Sequence, residues 1–238
     1  MANEWKENLG CKRCVNIATQ SRKSILNNQR VELLFGGSFD PIHLGHLNLI
    51  NNVRREFPNE TIRLIPCFEP PLKNLTSASF EHRVAMVKLA TSNIDNIIID
   101  TRESLRPGKS YTLDTVKELK AENPDVKLIF VIGADAISSI ERWYQCEKLS
   151  KYCHFLIVNR PNFDINEKQS PLEELGFSQV ENYQKLAHKP IGHYSYINID
   201  EKDISSTQIR QNLAQSDLIK HFIPNSVFDY IQKHAIYK

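Results

Sequence analysis

The chain has 238 residues, 41% of them hydrophobic and 24% charged, which suits one α/β domain with at most a small appendage and excludes disorder, collagen and coiled coil as its main character. With 30 Lys+Arg against 28 Asp+Glu the net charge is +2, so the chain is no general binder of nucleic acid and any phosphate site must be local. The cysteines number five and MANEWKENLG holds no apolar signal segment, so free thiols in a reducing, cytoplasmic compartment are expected, with no membrane contact.

Residues 1–30 are polar and lack a sustained period, and read as a flexible extension ahead of a domain over residues 31–238. Cys11 and Cys14 in that extension have the spacing of half a zinc site, but no second pair completes four ligands, so no protein-bound metal is expected. From Val31 onward strands and helices alternate. Val31–Phe35 reads as a strand ending in Gly36 and Gly37, and Leu44–Phe57 as a helix with apolar residues at helical spacing. Thr61–Pro66 is a second strand, stopped by Pro66 and Pro70-Pro71; Phe80–Ala90 is a helix; Asn96–Asp100 is a third strand. Thr112–Glu122 is a helix, Lys127–Ile132 a fourth strand, and Gly133-Ala134-Asp135 opens another helix. His154–Val158 is a fifth strand, 162–190 is irregular, and Tyr194–Ile199 is a last strand. Ser205–Leu213 and Pro224–His234 close the chain as helices.

Such alternation means βαβ units. The strands are short apolar runs rather than apolar/polar alternations, so they belong in a parallel sheet covered on both faces. The expected fold is a doubly wound, Rossmann-like α/β sheet, whose ligand lies beyond the carboxyl ends of the strands where the strand order switches.

Neither GxGxxG after a strand nor GxxxxGK[ST] occurs, so phosphate must be held by another device than a dinucleotide fingerprint or a P-loop. The segment Gly36-Gly37-Ser38-Phe39-Asp40-Pro41-Ile42-His43-Leu44-Gly45-His46 joins the first strand to the first helix. Glycines there let a ligand approach the backbone, and the helix N-terminus offers N–H donors and a positive dipole end. His43 and His46, three apart, share one helix face and form a compact anion clamp suited to nucleoside triphosphate. A plainer reading makes Asp40 the helix cap, Pro41 its first residue and the histidines incidental. Downstream, Ser205, Ser206 and Thr207 start a helix with hydroxyl and N–H donors, and Arg210 lies one turn further on the same side. Asp135 at the end of the fourth strand suits ribose hydroxyls or a helix cap, and Trp143 suits a stacked pyridine ring or a core position.

Together these motifs resemble a known family. GGSFDPIHLGH is similar to the signature of the nucleotidyltransferase superfamily with the HxGH motif, and Ile204 to Arg210 (ISSTQIR) resembles its ISSTxxR motif. HxGH alone also resembles class I aminoacyl-tRNA synthetases, but no KMSKS-like loop or anticodon domain follows. The order of the remaining motifs is similar to bacterial nicotinate-nucleotide adenylyltransferases: Pro70-Pro71-Leu72-Lys73, His82-Arg83, Ser110-Tyr111-Thr112, Gly133-Ala134-Asp135, Trp143-Tyr144 and Arg160-Pro161. The family usually has Thr in place of Ser38, and often PPHK in place of PPLK, so Lys73 serves here without the neighbouring histidine.

The resemblance implies adenylyl transfer from ATP to nicotinate mononucleotide, with Mg²⁺ riding on the ATP phosphates. It places His43, His46 and Arg210 on the reacting phosphates. Gly36, Gly37, Ser38, Phe39, Gly45, Gly133, Asp135, Ile204, Ser205, Ser206 and Thr207 fall on the ATP side. Lys73, Tyr111, Thr112, Trp143 and Arg160 fall on the mononucleotide side. Rival readings are another phosphorylated acceptor, such as nicotinamide mononucleotide, and a non-catalytic nucleotide sensor on the same fold.

Overall fold

A computed structural model of the chain describes residues 30–72, 76–159, 171–199, 204–212 and 219–237. Its strands are β1 (Val31–Gly37), β2 (Thr61–Pro66), β3 (Ile97–Ile99), β4 (Lys127–Gly133), β5 (His154–Asn159), β6 (Ser178–Gln179) and β7 (His193–Asn198). They form one sheet in the order β3-β2-β1-β4-β5-β7-β6, and every pairing is parallel. The helices are α1 (Leu44–Glu56), α2 (Phe80–Thr91), α3 (Thr112–Glu122), α4 (Ala134–Ile137), α5 (Pro171–Glu174), α6 (Ser206–Gln211) and α7 (Asn225–Lys233).

The apolar runs explain the layers. Successive strand residues face opposite sides, so Leu33 and Phe35 enter one core while Leu34 enters the other. The first core takes Ile129 and Val131 of β4 and packs under α1, α2 and α7 through Ile50, Met86 and Phe228. The second takes Leu128, Phe130 and Ile132 and packs under α3 through Leu113, Val116 and Leu119. Both Leu33 and Leu34 are fully buried, each burial contributing about 1.5–3 kcal/mol relative to exposure. The sheet is doubly wound as expected, and its order reverses between β1 and β4, whose carboxyl ends open the ligand crevice of this class.

Several elements differ from the sequence reading. The segment read as irregular contains α5, a 3₁₀ turn at Tyr183–His188 and β6, two exposed residues paired with His193 and Tyr194 and too short to show a period. The helix after Gly133 stops after one turn, and 3₁₀ turns at Ile140–Arg142 and Cys146–Lys151 follow, with Gln145 in the left-handed region at φ 48°. Ser205 is the cap of α6 rather than its first residue; Leu213, the expected end of that helix, lies outside the described residues, as do Cys11, Cys14, Lys73 and Arg160. Cys67, Cys146 and Cys153 form no disulfide among the described residues, and burial pushes the Cys153 thiol up to about 12. Among the described residues, no helix is long and apolar enough to cross a membrane.

His154 begins β5 with no exposed surface; its Nδ1 accepts the His193 N–H at 3.3 Å, and its Nε2 finds no hydrogen-bond partner among the described residues. Burial, with nearby His193 and Lys127, lowers its pKa from the ordinary 6.5 to about 4. A base depressed on folding stabilises the fold fully above its unfolded pKa and withdraws that support as pH falls towards its folded one. Acidification from pH 6.5 to 4 is therefore expected to cost the folded state about 3 kcal/mol through this residue. Denaturant titrations of the parent and His154→Leu across that window check it. The parent's stability is expected to fall more steeply; parallel curves would disprove the assignment.

Candidate active site

The β1 carboxyl end lies against aromatic rings. A Cβ on Gly36 would stand 3.0 Å from the Phe130 ring, and one on Gly37 would stand 3.1 Å from the Phe39 ring. Phe39 itself is left-handed at φ 47° and buries its ring in the first core, which turns the chain sharply towards α1. The Asp40–Pro41 peptide in this turn is cis.

His43, and not Asp40, caps α1. The His46 N–H donates to His43 Nδ1 at 3.4 Å and the His43 N–H donates to His46 Nδ1 at 3.3 Å, a reciprocal capping box made of two imidazoles. The rings stack with centroids 3.7 Å apart, and Phe39 meets His46 edge-on at 5.1 Å. This bonding decides the tautomer. A neutral ring whose Nδ1 accepts carries its proton on Nε2, so both histidines present Nε2–H donors. Two such donors suit phosphate oxygens, while the His43, Leu44 and His46 N–H groups of the helix start are bonded within the protein, to His46, Phe222 and His43.

Asp40 instead supports the loop from beneath. It is buried and accepts the N–H groups of Ser77 (2.7 Å) and Ala78 (3.0 Å) and the hydroxyl of Tyr237 (2.8 Å). Arg83, on α2, is completely buried and donates Nη1–H to the Ser38 carbonyl at 2.6 Å and Nη2–H to the Phe68 carbonyl at 3.4 Å. It joins the loops after β1 and β2. Burial lowers its pKa, opposed by Asp40, but a guanidinium keeps its charge throughout. Arg83 is thus a supporting residue that the His82-Arg83 motif contained and the sequence reading left without a role.

Across the crevice Ser205 caps α6, its hydroxyl accepting the Gln208 N–H at 3.2 Å. The Ser206 hydroxyl donates to the Pro41 carbonyl at 3.0 Å, which clips α6 to the signature loop. Arg210 donates Nη1–H to the Asp40 carbonyl at 2.7 Å and Nη2–H to the Thr207 hydroxyl at 3.3 Å. The structure therefore does bring the HxGH and ISSTxxR segments together, and the hydroxyls of Ser205, Ser206 and Thr207 already bond within the protein. Ile204 packs against the first core just ahead of them.

Gly133 ends β4 beside the switch, and a Cβ there would stand 2.5 Å from Asp135 Oδ1. The exposed Asp135 carboxylate folds back over Gly133 and would have to turn aside for a Cβ there. Gly45 is buried in the first turn of α1.

The loop after β2 and the start of α3 form the third wall. The Ser110 hydroxyl accepts the N–H groups of Phe68 and Glu69, each at 3.1 Å, and Lys109 pairs with Glu69 at 2.7 Å. Glu103 beneath them is buried, which raises its pKa; it accepts the Thr115 hydroxyl at 2.9 Å. Tyr111 precedes α3 and stacks on Tyr144 with centroids 4.3 Å apart, the latter 45% exposed. Trp143 lies differently: partly buried, it packs edge-on against Phe130 at 6.0 Å in the second core. The open aromatic surface next to Thr112 is thus Tyr111 with Tyr144. The sequence reading took Trp143 for the pyridine half; of the Trp143-Tyr144 pair it is Tyr144 whose ring is exposed. Among the described residues, no group of three or more His, Cys, Asp or Glu converges as a metal ligand set.

Comparison with known proteins agrees with this geometry. The cytidylyltransferase-like family model matches residues 34–212. A protein of Hahella chejuensis named "Probable nicotinate-nucleotide adenylyltransferase" is 35% identical over 207 residues, covering 86% of this chain and 94% of its own. A Coxiella burnetii protein of the same name is 35% identical over 208 residues, with 86% and 97% covered. Among solved structures, Plasmodium falciparum nicotinic acid mononucleotide adenylyltransferase complexed with NaAD superposes with a TM-score of 0.69 at 26% identity, covering 87% of this chain and 97% of that one. With its HxGH and ISSTxxR segments joined at the β1/β4 switch, this chain belongs to the cytidylyltransferase-like family and, within it, to the nicotinate-nucleotide adenylyltransferases.

Proposed function

We propose that the crevice at the β1/β4 switch transfers the adenylyl group of MgATP to nicotinate mononucleotide, releasing pyrophosphate and forming nicotinate adenine dinucleotide, a step of NAD synthesis. The observation that carries this reading is the pair of Nε2–H donors from His43 and His46, fixed by reciprocal capping and joined through Asp40 to Arg210.

The chemistry follows from the groups present. A phosphate oxygen of the mononucleotide attacks the α-phosphorus of MgATP. The new P–O bond forms as the bond to the β-phosphate bridge breaks, and the electron pair leaves on pyrophosphate. The nucleophile is already an anion, so positioning and charge neutralisation supply the rate, and no strong base is required. His43, His46 and Arg210 donate to the triphosphate as charge moves to the leaving group. Gly36, Gly37, Ser38, Phe39 and Gly45 let ATP lie along the loop and the first turn of α1. Ile204, Ser205, Ser206 and Thr207 bring the start of α6 to the phosphates; the Ser205 N–H is bonded to Gln208 and the Ser206 O–H to Pro41, so the donors there are the Ser206 and Thr207 N–H groups and the Thr207 O–H. Gly133 and Asp135 serve the adenosine ribose. Tyr111, Thr112 and Trp143 belong to the pyridine half, and Tyr144 joins them. Lys73 and Arg160 keep the mononucleotide roles that the family motifs imply. Magnesium enters as part of the ATP substrate.

The test is pyrophosphate release with MgATP and a panel of phosphorylated acceptors. Nicotinate mononucleotide is expected to give turnover in the ordinary enzymatic range, about 1–10³ s⁻¹. Binding of ATP without release on any acceptor would favour a sensor and end this reading.

A further inference from the structure

The Asp40 carboxylate collects donors from separate parts of the chain. Ser77 and Ala78 reach it from the turn entering α2, and the Tyr237 hydroxyl donates to Oδ1 at 2.8 Å, 197 residues away in sequence. Arg210 Nη1 stands 3.8 Å from Oδ2 while donating to the main-chain carbonyl of the same residue at 2.7 Å. The carboxylate and the guanidinium are therefore neighbours held short of a close, two-pronged pair. Carboxylate and guanidinium otherwise favour bidentate contact, which would consume two of the five donors on Arg210.

Tyr237 is fastened in place. Ile236 before it is buried in the first core, and both Ala235 and Tyr237 lie in the left-handed region, at φ 52° and 69°. A non-glycine residue keeps such a conformation where its surroundings over-determine it. Burial and the facing Asp40 also raise the phenol pKa, so its proton stays on oxygen and is donated.

We infer that Tyr237 is a positioning residue for adenylyl transfer: its hydroxyl holds the Asp40 carboxylate away from Arg210, leaving the guanidinium free to turn its remaining donors to the triphosphate. Without that hydroxyl only the Ser77 and Ala78 N–H groups hold the carboxylate, which then turns towards Arg210 across the 3.8 Å gap and draws part of its guanidinium off the phosphates. This inference rests on the reading of Arg210 as a phosphate donor, and the experiment separates the two.

Four proteins are compared: the parent, Tyr237→Phe, Arg210→Lys and the double variant, each assayed well below its melting temperature. Arg210→Lys is expected to lose about 10²-fold in kcat. Tyr237→Phe is expected to lose about tenfold in kcat with KM for the mononucleotide within about twofold, and the double variant to be little worse than Arg210→Lys, because both act through one group. A chain ending at Ile236 repeats the test should the phenylalanine variant not fold. Parent-like turnover in Arg210→Lys would overturn the phosphate reading and this inference with it. Parent-like turnover in Tyr237→Phe, or full additivity of the two losses, would overturn the inference alone.

Discussion

Replacing His46 by alanine is expected to lower kcat by about 10²–10³ while the protein stays folded, the size of effect that removing one preorganised donor has at a developing oxyanion. The Nε2–H of His46 exists because its Nδ1 accepts the His43 N–H, so the donor is aimed before substrate arrives. His46 is only partly buried, and its loss removes one half of a capping box, a small cost to stability. His43→Ala separates the two functions of the pair. His43 is 5% exposed and is the cap itself, so this variant should lose turnover to a similar degree and also about 0.5–2 kcal/mol of stability. Steady-state rates alongside melting curves make the measurement. Turnover of His46→Ala within about threefold of the parent would remove the histidine pair from the chemistry.

The acceptor is expected to be the acid form of the mononucleotide, preferred over the amide by about 10² or more in kcat/KM. Ser110, Tyr111 and Thr112 lead into α3, whose intrahelical bonds begin with the Asp114 N–H on the Tyr111 carbonyl. The N–H groups of Thr112 and Leu113 therefore precede the first closed turn, beside the stacked Tyr111 and Tyr144 rings. A carboxylate accepts such donors and gains from the helix dipole, whereas an amide turns an NH₂ at some of them. Each donor left unpaired costs about 1–3 kcal/mol, and two give the stated preference. Ser110 does not take part through its hydroxyl, which is committed to Phe68 and Glu69, so Ser110→Ala should perturb the loop after β2 more than the acid preference. Initial rates with both mononucleotides at saturating MgATP decide it. Equal values would refute this assignment of the turn and leave adenylyl transfer standing.

The parts of the fold visible in the sequence were those where one physical signal dominates. A run such as Leu128–Ile132 has no polar face, so it is a strand covered on both sides, and the glycine pair that ends β1 marks the switch. The two segments that meet at the crevice were visible as residue types at fixed spacing. What stayed hidden depended on who bonds whom. Asp40 is a better cap than histidine by general preference, yet two facing imidazoles satisfy each other's backbone and release Asp40 to bind Ser77, Ala78 and Tyr237. The Ser206 hydroxyl is a phosphate donor by type, but tertiary contact places it on Pro41, while Thr207 Oγ1 accepts from Arg210 and keeps its own O–H. β6 was hidden because two residues carry no period.

The outermost strands of the sheet, β3 and β6, have three and two residues. A flat, apolar strand at a margin invites another chain to add to it, and proteins commonly prevent this by shortening the margin. Here the margin on one side ends beside Arg63, Asp100 and Arg102, joined at 2.8 and 2.7 Å, so an incoming strand would meet paired charges instead of a row of open amides. The long apolar strands that an all-parallel sheet requires are confined to its middle, where β1, β4 and β5 are paired on both sides. Self-association through strand addition therefore finds little template among the described residues of the folded enzyme.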